Sequence, residues 1–240
     1  MGIQEPKTVI IGLGEVGQAL YEILSEHYKV LGLDKETWQA NFEQDDSNLL
    51  ETEILHVCFP YSDNFVEFVG QYQEKFKPKF TIIHSTVPVG VSRRCGAVHS
   101  PIRGIHPNLE NGIKTFKKFL GGEDAGLVAD YFRRAGLKVH LCDDPETTEL
   151  MKLMDTEYYR ACIEFAQRVK NLCKMHDVPF ADVYTLANLT YNEGYTKLGH
   201  PEFVRPVLEP IMKEIGGHCV LPNKKILEDM AAKAGGVVHA

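Results

Sequence analysis

Three glycines near the start of the chain have the spacing of a phosphate-binding turn. They belong to the run Gly12-Leu13-Gly14-Glu15-Val16-Gly17, which matches the pattern GxGxxG. Glycine has no Cβ, so such a turn lets the backbone approach a pyrophosphate closely. The N-terminus of a following helix then supplies N–H donors and a positive dipole end. The sequence therefore predicts that residues 12 to 17 bind a dinucleotide: Gly12, Leu13, Gly14, Glu15, Val16 and Gly17.

The residues around this turn provide the context that the motif requires. The segment 8–11 reads as a short buried strand, and 16–24 has the spacing of an amphipathic helix. A second strand, 28–33, ends at Asp34, about 20 residues after the first glycine, where an acidic side chain meets the ribose hydroxyls of adenosine. This carboxylate favours NAD over NADP, and Lys35 is the one neighbour that would soften the preference. A turn that only packs a helix on a strand is the alternative.

Strands and helices continue to alternate as far as residue 143. Apolar runs of strand length recur at residues 53–59, 79–84, 97–100, 118–121 and 137–141. Amphipathic stretches lie at 62–76 and 123–135. This alternation is typical of an α/β fold with a Rossmann-type, doubly wound parallel sheet, which binds ligands at the carboxyl ends of its strands.

Several residues that follow these strands are further candidates for the site. Pro60 and Ser85 are predicted to contact the cofactor. His84 and His99 end two strands, and each is either an acid or base near neutral pH or a hydrogen-bonded structural residue. The spacing of the histidines does not predict a metal site.

The pattern becomes purely helical in the last part of the chain. Residues 145–175 read as one long helix that begins with proline, and further helices are predicted at 180–187, 201–215 and 223–234. We therefore predict a dinucleotide-binding domain, 1–143, and an all-helical substrate or dimerisation domain, 144–240. The apolar stripe of the long helix is wide enough to be buried against a second subunit, which predicts a homodimer.

Composition excludes several classes of function. The 26 basic and 33 acidic residues give a net charge of -7, which provides no basic field for nucleic acid or an anionic membrane. No apolar stretch has the length of a membrane span, and the N-terminus lacks the character of a signal peptide. The six cysteines form no CxxC pair and no zinc-like spacing. We therefore expect a cytoplasmic protein with reduced thiols.

Three later stretches carry a family resemblance. They are His84-Ser85-Thr86-Val87-Pro88-Val89-Gly90, Glu149-Leu150-Met151-Lys152 and Gly216-Gly217-His218-Cys219-Val220-Leu221-Pro222-Asn223. In this order they resemble the nucleotide-sugar dehydrogenases, of the UDP-glucose and UDP-N-acetylmannosamine type, in the 6-phosphogluconate dehydrogenase superfamily. That family carries S-T-V-P-x-G, E-L-x-K-x-x-x-N and G-G-x-C in these places. The resemblance covers essentially the whole chain.

The resemblance implies roles for individual residues. Such enzymes oxidise a primary alcohol of a sugar to a carboxylate by two successive hydride transfers to NAD. By resemblance Cys219 captures the intermediate aldehyde, Lys152 stabilises the oxyanion, and Thr86 positions water or substrate. Residue chemistry agrees, because a thiolate is a strong nucleophile and a nearby lysine cation favours it.

The chain departs from the family pattern at its carboxylates. Ile102 stands where the family has a glutamate, and Asn223 stands where it has an aspartate, so both groups expected to activate the hydrolytic water are replaced. Thr156 replaces the asparagine of the lysine motif. Glu110 is a candidate to replace one carboxylate, and with His84 it completes the predicted catalytic set. The chain also ends at residue 240, where relatives continue into a third domain that binds the nucleotide sugar.

The leading expectation is an NAD-dependent oxidoreductase that oxidises a hydroxyl of a small or sugar-nucleotide-like substrate, with the carbonyl intermediate near Lys152 and Cys219. One alternative is an NAD-binding sensor or degenerate paralogue without redox chemistry, which the replaced carboxylates favour. The other is a two-electron dehydrogenase of the hydroxyacid type, in which Lys152 is the general acid or base and Cys219 is dispensable.

Overall fold

The chain divides into two compact units, Met1–Lys152 and Leu153–Ala240. The computed structural model describes residues 7–34, 52–104, 108–209 and 220–233. The division between the units falls within the longest helix, which begins at Pro145.

A seven-stranded sheet in the order β2-β1-β3-β4-β5-β6-β7 forms the centre of the first unit. Its strands are β1 Thr8–Ile11, β2 Val30–Leu33, β3 Ile54–Val57, β4 Phe80–Ile83, β5 Val98–His99, β6 Lys118–Gly121 and β7 Val139–Cys142. All neighbouring strands are parallel except β5 and β6, which pair antiparallel. This confirms the predicted doubly wound α/β fold and adds one antiparallel pair.

Helices bury both faces of this sheet. Helices α1 Glu15–Ser25, α4 Leu109–Thr115 and α5 Ala125–Arg134 pack on one face, and α2 Phe65–Phe76 and α3 Val91–Arg94 pack on the other. Side chains of β1 alternate between the two cores, with Ile10 in the first and Val9 and Ile11 in the second. A strand buried on both sides is mostly apolar, which is why the sequence shows nearly continuous apolar runs.

The second part of the chain is helical, as predicted. Helix α6, Pro145–Met175, is followed by a π-helical turn at Ala181–Leu186, helix α7 at Ala187–Lys197 and helix α8 at Val220–Lys233. Within the described ranges no helix has both the length and the apolar character needed to cross a bilayer.

The helix predicted at 201–215 is wrong over the residues that the structure describes. A short 3-10 turn, Pro201–Phe203, ends at Val204, which is extended with φ -64° and ψ 131°. Residues 204–209 then carry no regular structure. Pro206 has no amide hydrogen and disfavours helical backbone at the residue before it, so the helix cannot continue.

Candidate cofactor and substrate site

The glycine run forms the turn between β1 and α1, and two of its glycines are required by packing. Gly12 has a φ of +90°, and a Cβ on it would lie 2.9 Å from the amide nitrogen of Phe59. A Cβ on Gly17 would lie 1.8 Å from the carbonyl oxygen of Gly12. By contrast, a Cβ on Gly14 would meet no atom within 4 Å. The turn therefore packs tightly against the protein on one side and leaves open space at Gly14.

The N-terminus of α1 adjoins this open space. Gly14 is the N-cap residue and is extended, with φ -67° and ψ -168°, and no side chain caps the helix. The N–H groups of a first helical turn have no partner within the helix, so an anion can accept from them. Glu15 is exposed in this turn, whereas Leu13 and Val16 pack partly against the core.

The register of the sheet places Asp34 next to the glycine turn. Ile11 pairs with Leu33, and the amide of Gly12 donates to the carbonyl oxygen of Leu33 over 2.8 Å. Asp34 is the next residue after Leu33 and is exposed. A carboxylate therefore lies beside the turn, as recognition of a ribose requires. Lys35 lies outside the described residues.

Candidates on the neighbouring loops lie along the same edge of the sheet. Pro60 is exposed after β3, and Thr86 is half-buried after β4. The hydroxyl of Ser85 donates to the carbonyl oxygen of Phe59 over 2.6 Å. Since the backbone of Phe59 packs on Gly12, the loop after β4 is joined through Phe59 to the glycine turn.

Helix α6 reaches this edge with its first turns. The carboxylate of Glu149 is buried and accepts from the amides of Gly90 and Ser92 over 2.6 Å and 2.7 Å. Burial raises the pKa of Glu149, against the lowering effect of these hydrogen bonds. One turn later the ammonium of Lys152 donates to the carbonyl oxygen of Ile102 over 2.9 Å. One helix thus contacts the loops that follow both β4 and β5.

His99 forms a second connection between α6 and the loop after β4. Its Nε2 is 3.2 Å from the carbonyl oxygen of Ser85, and its Nδ1 is 2.8 Å from Oγ1 of Thr148. A carbonyl oxygen can only accept, so Nε2 carries the hydrogen and Nδ1 of the neutral ring accepts from the hydroxyl. Burial lowers the pKa of His99 to about 3. This geometry favours the structural alternative for His99.

His84 lies in the interior, in a chain of hydrogen bonds. Its Nδ1 donates to the carbonyl oxygen of Ser100 over 2.6 Å, so its Nε2 accepts from Nδ1 of His56 at 2.9 Å. Nε2 of His56 is 3.2 Å from the hydroxyl of Tyr131, which lies 3.1 Å from that of Thr8. Burial lowers the pKa of His56 to about 3 and that of His84 well below its ordinary value. A neutral ring with both nitrogens bonded is poorly placed to act as a base.

Lys118 lies beside this chain and was not foreseen from the sequence. It is only 4% exposed, and its Nζ is 3.4 Å from Nδ1 of His84 and 3.5 Å from the carbonyl oxygen of Ser100. Burial lowers the pKa of Lys118 to about 7. Two features of the sequence could have pointed to these buried polar residues. Lys118 is a charged residue at the first position of a predicted strand, and His56 is a histidine within an apolar run.

Of the remaining residues that the sequence singles out, two have hydrogen-bond partners of their own. Glu110, in the first turn of α4, accepts from the ammonium of Lys114 over 2.7 Å. In the second unit Asn223 is buried on α8, and its Nδ2 donates to the carbonyl oxygen of Leu153 over 3.2 Å. An ionised aspartate at this position would face that carbonyl with acceptors alone, so the amide suits the site. Cys219 lies outside the described residues.

The described residues contain no group of three or more His, Cys, Asp or Glu side chains that could hold a metal ion. The cysteines in this part of the chain are all unpaired.

Comparison with known proteins gives matches among solved structures alone. No protein-family model and no curated protein matches the sequence. The fold resembles that of a UDP-D-ManNAc dehydrogenase from Pyrococcus horikoshii, with 17% identity and a TM-score of 0.72, over 95% of this chain and 70% of that one. A UDP-glucose dehydrogenase from Pyrobaculum islandicum matches with 15% identity and a TM-score of 0.72, over 98% of this chain and 66% of that one.

A third solved structure is matched over most of its own length. It is the 3-hydroxyisobutyrate dehydrogenase of Mycobacterium tuberculosis, with 13% identity and a TM-score of 0.72, over 98% of this chain and 90% of that one. This chain therefore has the fold that these three dehydrogenases share, and it spans about two thirds of the length of the two UDP-sugar enzymes.

Proposed function

We propose that this protein is an NAD-dependent oxidoreductase that acts on a hydroxyl group of a small or sugar-nucleotide-like substrate. The observation that carries the proposal is the glycine turn, which packs closely at Gly12 and Gly17 and is open at Gly14, with Asp34 at the end of the adjacent strand. The shared fold with three dehydrogenases supports it.

The residues at this edge fit a dinucleotide. The N–H groups at the start of α1 would bind the pyrophosphate, and the carboxylate of Asp34 would accept from the ribose hydroxyls. A carboxylate repels a 2′-phosphate, so the site favours NAD over NADP. When bound, NAD supplies a hydride acceptor. Thr86 and Lys152, on the substrate side, would position the reacting hydroxyl and stabilise charge on its oxygen.

Binding of the two cofactors tests this proposal. We expect NADH to bind the purified protein at micromolar concentration and NADPH to bind at least about tenfold more weakly. Titration calorimetry with both nucleotides measures the difference, and Asp34→Asn should reduce it. Tighter binding of NADPH would overturn the preference, and binding of neither nucleotide would overturn the proposed function.

A finer proposal concerns Cys219 and rests on the resemblance of the three motifs. In it the thiolate of Cys219 adds to the carbonyl carbon of the aldehyde, and Lys152 stabilises the oxyanion that forms. Burial raises the pKa of Cys58 to about 12 and that of Cys95 to about 11, so these thiols should react slowly. Alkylation by iodoacetamide should therefore be fastest at Cys219.

Peptide mapping after brief alkylation tests the covalent mechanism. Lys152→Met should slow the modification of Cys219, because it keeps the bulk of the side chain and removes the charge. If Cys219 reacts no faster than the other thiols and does not depend on Lys152, the covalent mechanism is wrong.

A two-electron oxidation is the second candidate. The buried Ile102 and the amide of Asn223 stand where the resemblance implies carboxylates that activate water. Without those carboxylates hydrolysis of an acyl-enzyme would be slow. A single hydride transfer with Lys152 as acid or base does not need them. Full activity of Cys219→Ala on an identified substrate would favour this candidate.

A further inference from the structure

The first turns of α6 hold both ends of one loop at the carboxyl edge of the sheet. We call residues 84–90 the β4 loop, because it follows β4. At its start the carbonyl oxygen of Ser85 accepts from His99, whose ring is bonded to Thr148 of α6. At its end the amide of Gly90 donates to Glu149, as does the amide of Ser92 in the adjoining helix α3. Two consecutive residues of one helix therefore fix the loop from both sides.

Burial makes the contact at Glu149 strong. Glu149 is 0% exposed, and a buried carboxylate is costly unless hydrogen bonds compensate it. Both of its contacts are short, charge-assisted bonds from backbone amides. The neighbouring pair of Glu146 and Arg93 joins the same two helices at the surface, where an ion pair contributes little. The buried contact of Glu149 is therefore the stronger of the two connections between α6 and this part of the chain.

The topology indicates which half of the cofactor would meet the β4 loop. The glycine turn follows β1, and Asp34 follows β2 on one side of it. With the pyrophosphate at the turn and the adenosine ribose at Asp34, the adenosine half extends over β2. The nicotinamide half must extend the other way, over β3 and β4. The β4 loop lies on that side, and Ser85 joins it to the backbone that packs on Gly12.

We propose that Glu149 is a positioning residue that holds the β4 loop in place for the nicotinamide half of the cofactor. Thr148 supports the same loop through His99. Glu149 itself does not touch the cofactor and acts through the amides of Gly90 and Ser92. This inference rests on the proposed function.

A pair of ligands separates this role from general stabilisation. NADH has both halves of the cofactor, whereas ADP-ribose has the adenosine half and the pyrophosphate and lacks nicotinamide. Glu149→Gln keeps one acceptor oxygen and turns an amino group towards the other backbone amide. Its loss of one charge-assisted bond should weaken NADH binding about tenfold. ADP-ribose binding should stay within about twofold, and the control Glu146→Gln should bind both ligands like the wild type.

Affinities are measured well below the unfolding temperature of each variant, so that a loss of binding does not come from unfolded protein. Equal weakening of NADH and ADP-ribose by Glu149→Gln, or no weakening of NADH, would overturn the positioning role. If the wild type binds neither ligand, the proposed function fails, and this inference fails with it.

A second variant keeps the inference testable if Glu149→Gln does not fold. Thr148→Val preserves shape and removes the hydroxyl that bonds His99. It should also weaken NADH binding and spare ADP-ribose, because it loosens the start of the same loop. Wild-type affinity of Thr148→Val for NADH would in that case overturn the inference.

Discussion

At the residue scale, buried histidines link the stability of the first unit to pH. Burial lowers the pKa values of His56 and His99 to about 3, and that of His84 also lies well below its ordinary value. The folded protein keeps these rings neutral, whereas the unfolded chain protonates them below about pH 6.5. The unfolded state therefore binds more protons, and the free energy of unfolding falls as pH falls from 6.5 towards the native values.

We expect this loss of stability to be steep between about pH 6.5 and 5. Each neutral histidine contributes a slope that rises from about 0.7 kcal/mol per pH unit at pH 6.5 to about 1.4 kcal/mol per pH unit near pH 5. Urea denaturation across the window measures the slope, which should be shallower in His99→Gln. His140 is exposed on β7, so His140→Gln is the matched control and should leave the slope unchanged. A stability that does not depend on pH in this window would contradict the prediction.

The buried amine of Lys118 should reduce stability at neutral pH. Burial lowers its pKa from 10.5 to about 7, so between these values the unfolded chain binds a proton that the folded protein does not. Stability due to this group therefore rises as pH rises through the window. Lys118→Met should remove that rise and increase the free energy of unfolding at pH 7 by about 1–4 kcal/mol.

Urea denaturation at neutral and alkaline pH checks this expectation. The neighbouring Lys117 is exposed, so Lys117→Met should change stability by no more than about 0.5 kcal/mol. A destabilised Lys118→Met protein would show instead that the ammonium contributes favourable contacts in the core.

At the scale of the elements, two glycines of the glycine turn should have different roles, Gly17 in stability and Gly14 in cofactor binding. A Cβ on Gly17 would collide with the carbonyl oxygen of Gly12, whereas a Cβ on Gly14 would point into open space. Gly17→Ala should therefore destabilise the protein by about 3 kcal/mol or more. Gly14→Ala should change stability by less than about 1 kcal/mol and still weaken NADH binding, because its methyl group occupies the place of the pyrophosphate.

Thermal unfolding and NADH titration of both variants test this separation. Normal NADH affinity in Gly14→Ala would contradict the assignment of the open space to the cofactor.

The sequence predicted the elements whose signals are local. The strand 8–11, the turn at 12–17 and the helix 145–175 were foreseen because the signal for each lies within its own segment. These signals are an apolar run for the strand, glycines for the turn, and a helical apolar period that begins with proline for the helix. The short helices 91–94 and 109–115 were not predicted, since they have too few residues to show a helical period.

Contacts between distant parts of the chain were beyond sequence reasoning. Glu149 and Gly90 are separated by 59 residues, and Thr8 and Tyr131 by 123. No pattern within one segment reveals such a partner. The antiparallel pairing of β5 with β6 was missed for the same reason, because the reversal of β6 relative to β5 leaves no mark on the composition of either strand.

At the scale of the whole molecule, the second unit exposes many large apolar side chains. On α6, the π-helical turn and α7, and on the residues between them, the side chains more than 40% exposed include Tyr158, Tyr159, Phe165, Leu172, Met175, Val178, Val183, Leu186 and Leu189. Soluble monomers seldom expose this much apolar surface without a function for it. We propose that a second copy of the chain buries this surface, since a twofold dimer would cover the same surface on both subunits.

We therefore expect the protein to be a homodimer through the 145–175 helix. Phe165 is 51% and Leu172 48% exposed, and residues seven apart lie on the same face of a helix. Replacing both with glutamate would place charges in a desolvated apolar contact and should give a monomer. Light scattering at micromolar concentration should find twice the mass of one chain for the wild type. Leu127, on α5 of the first unit, is 68% exposed, so Leu127→Glu should leave that mass unchanged. A wild type that is monomeric at this concentration would contradict the prediction.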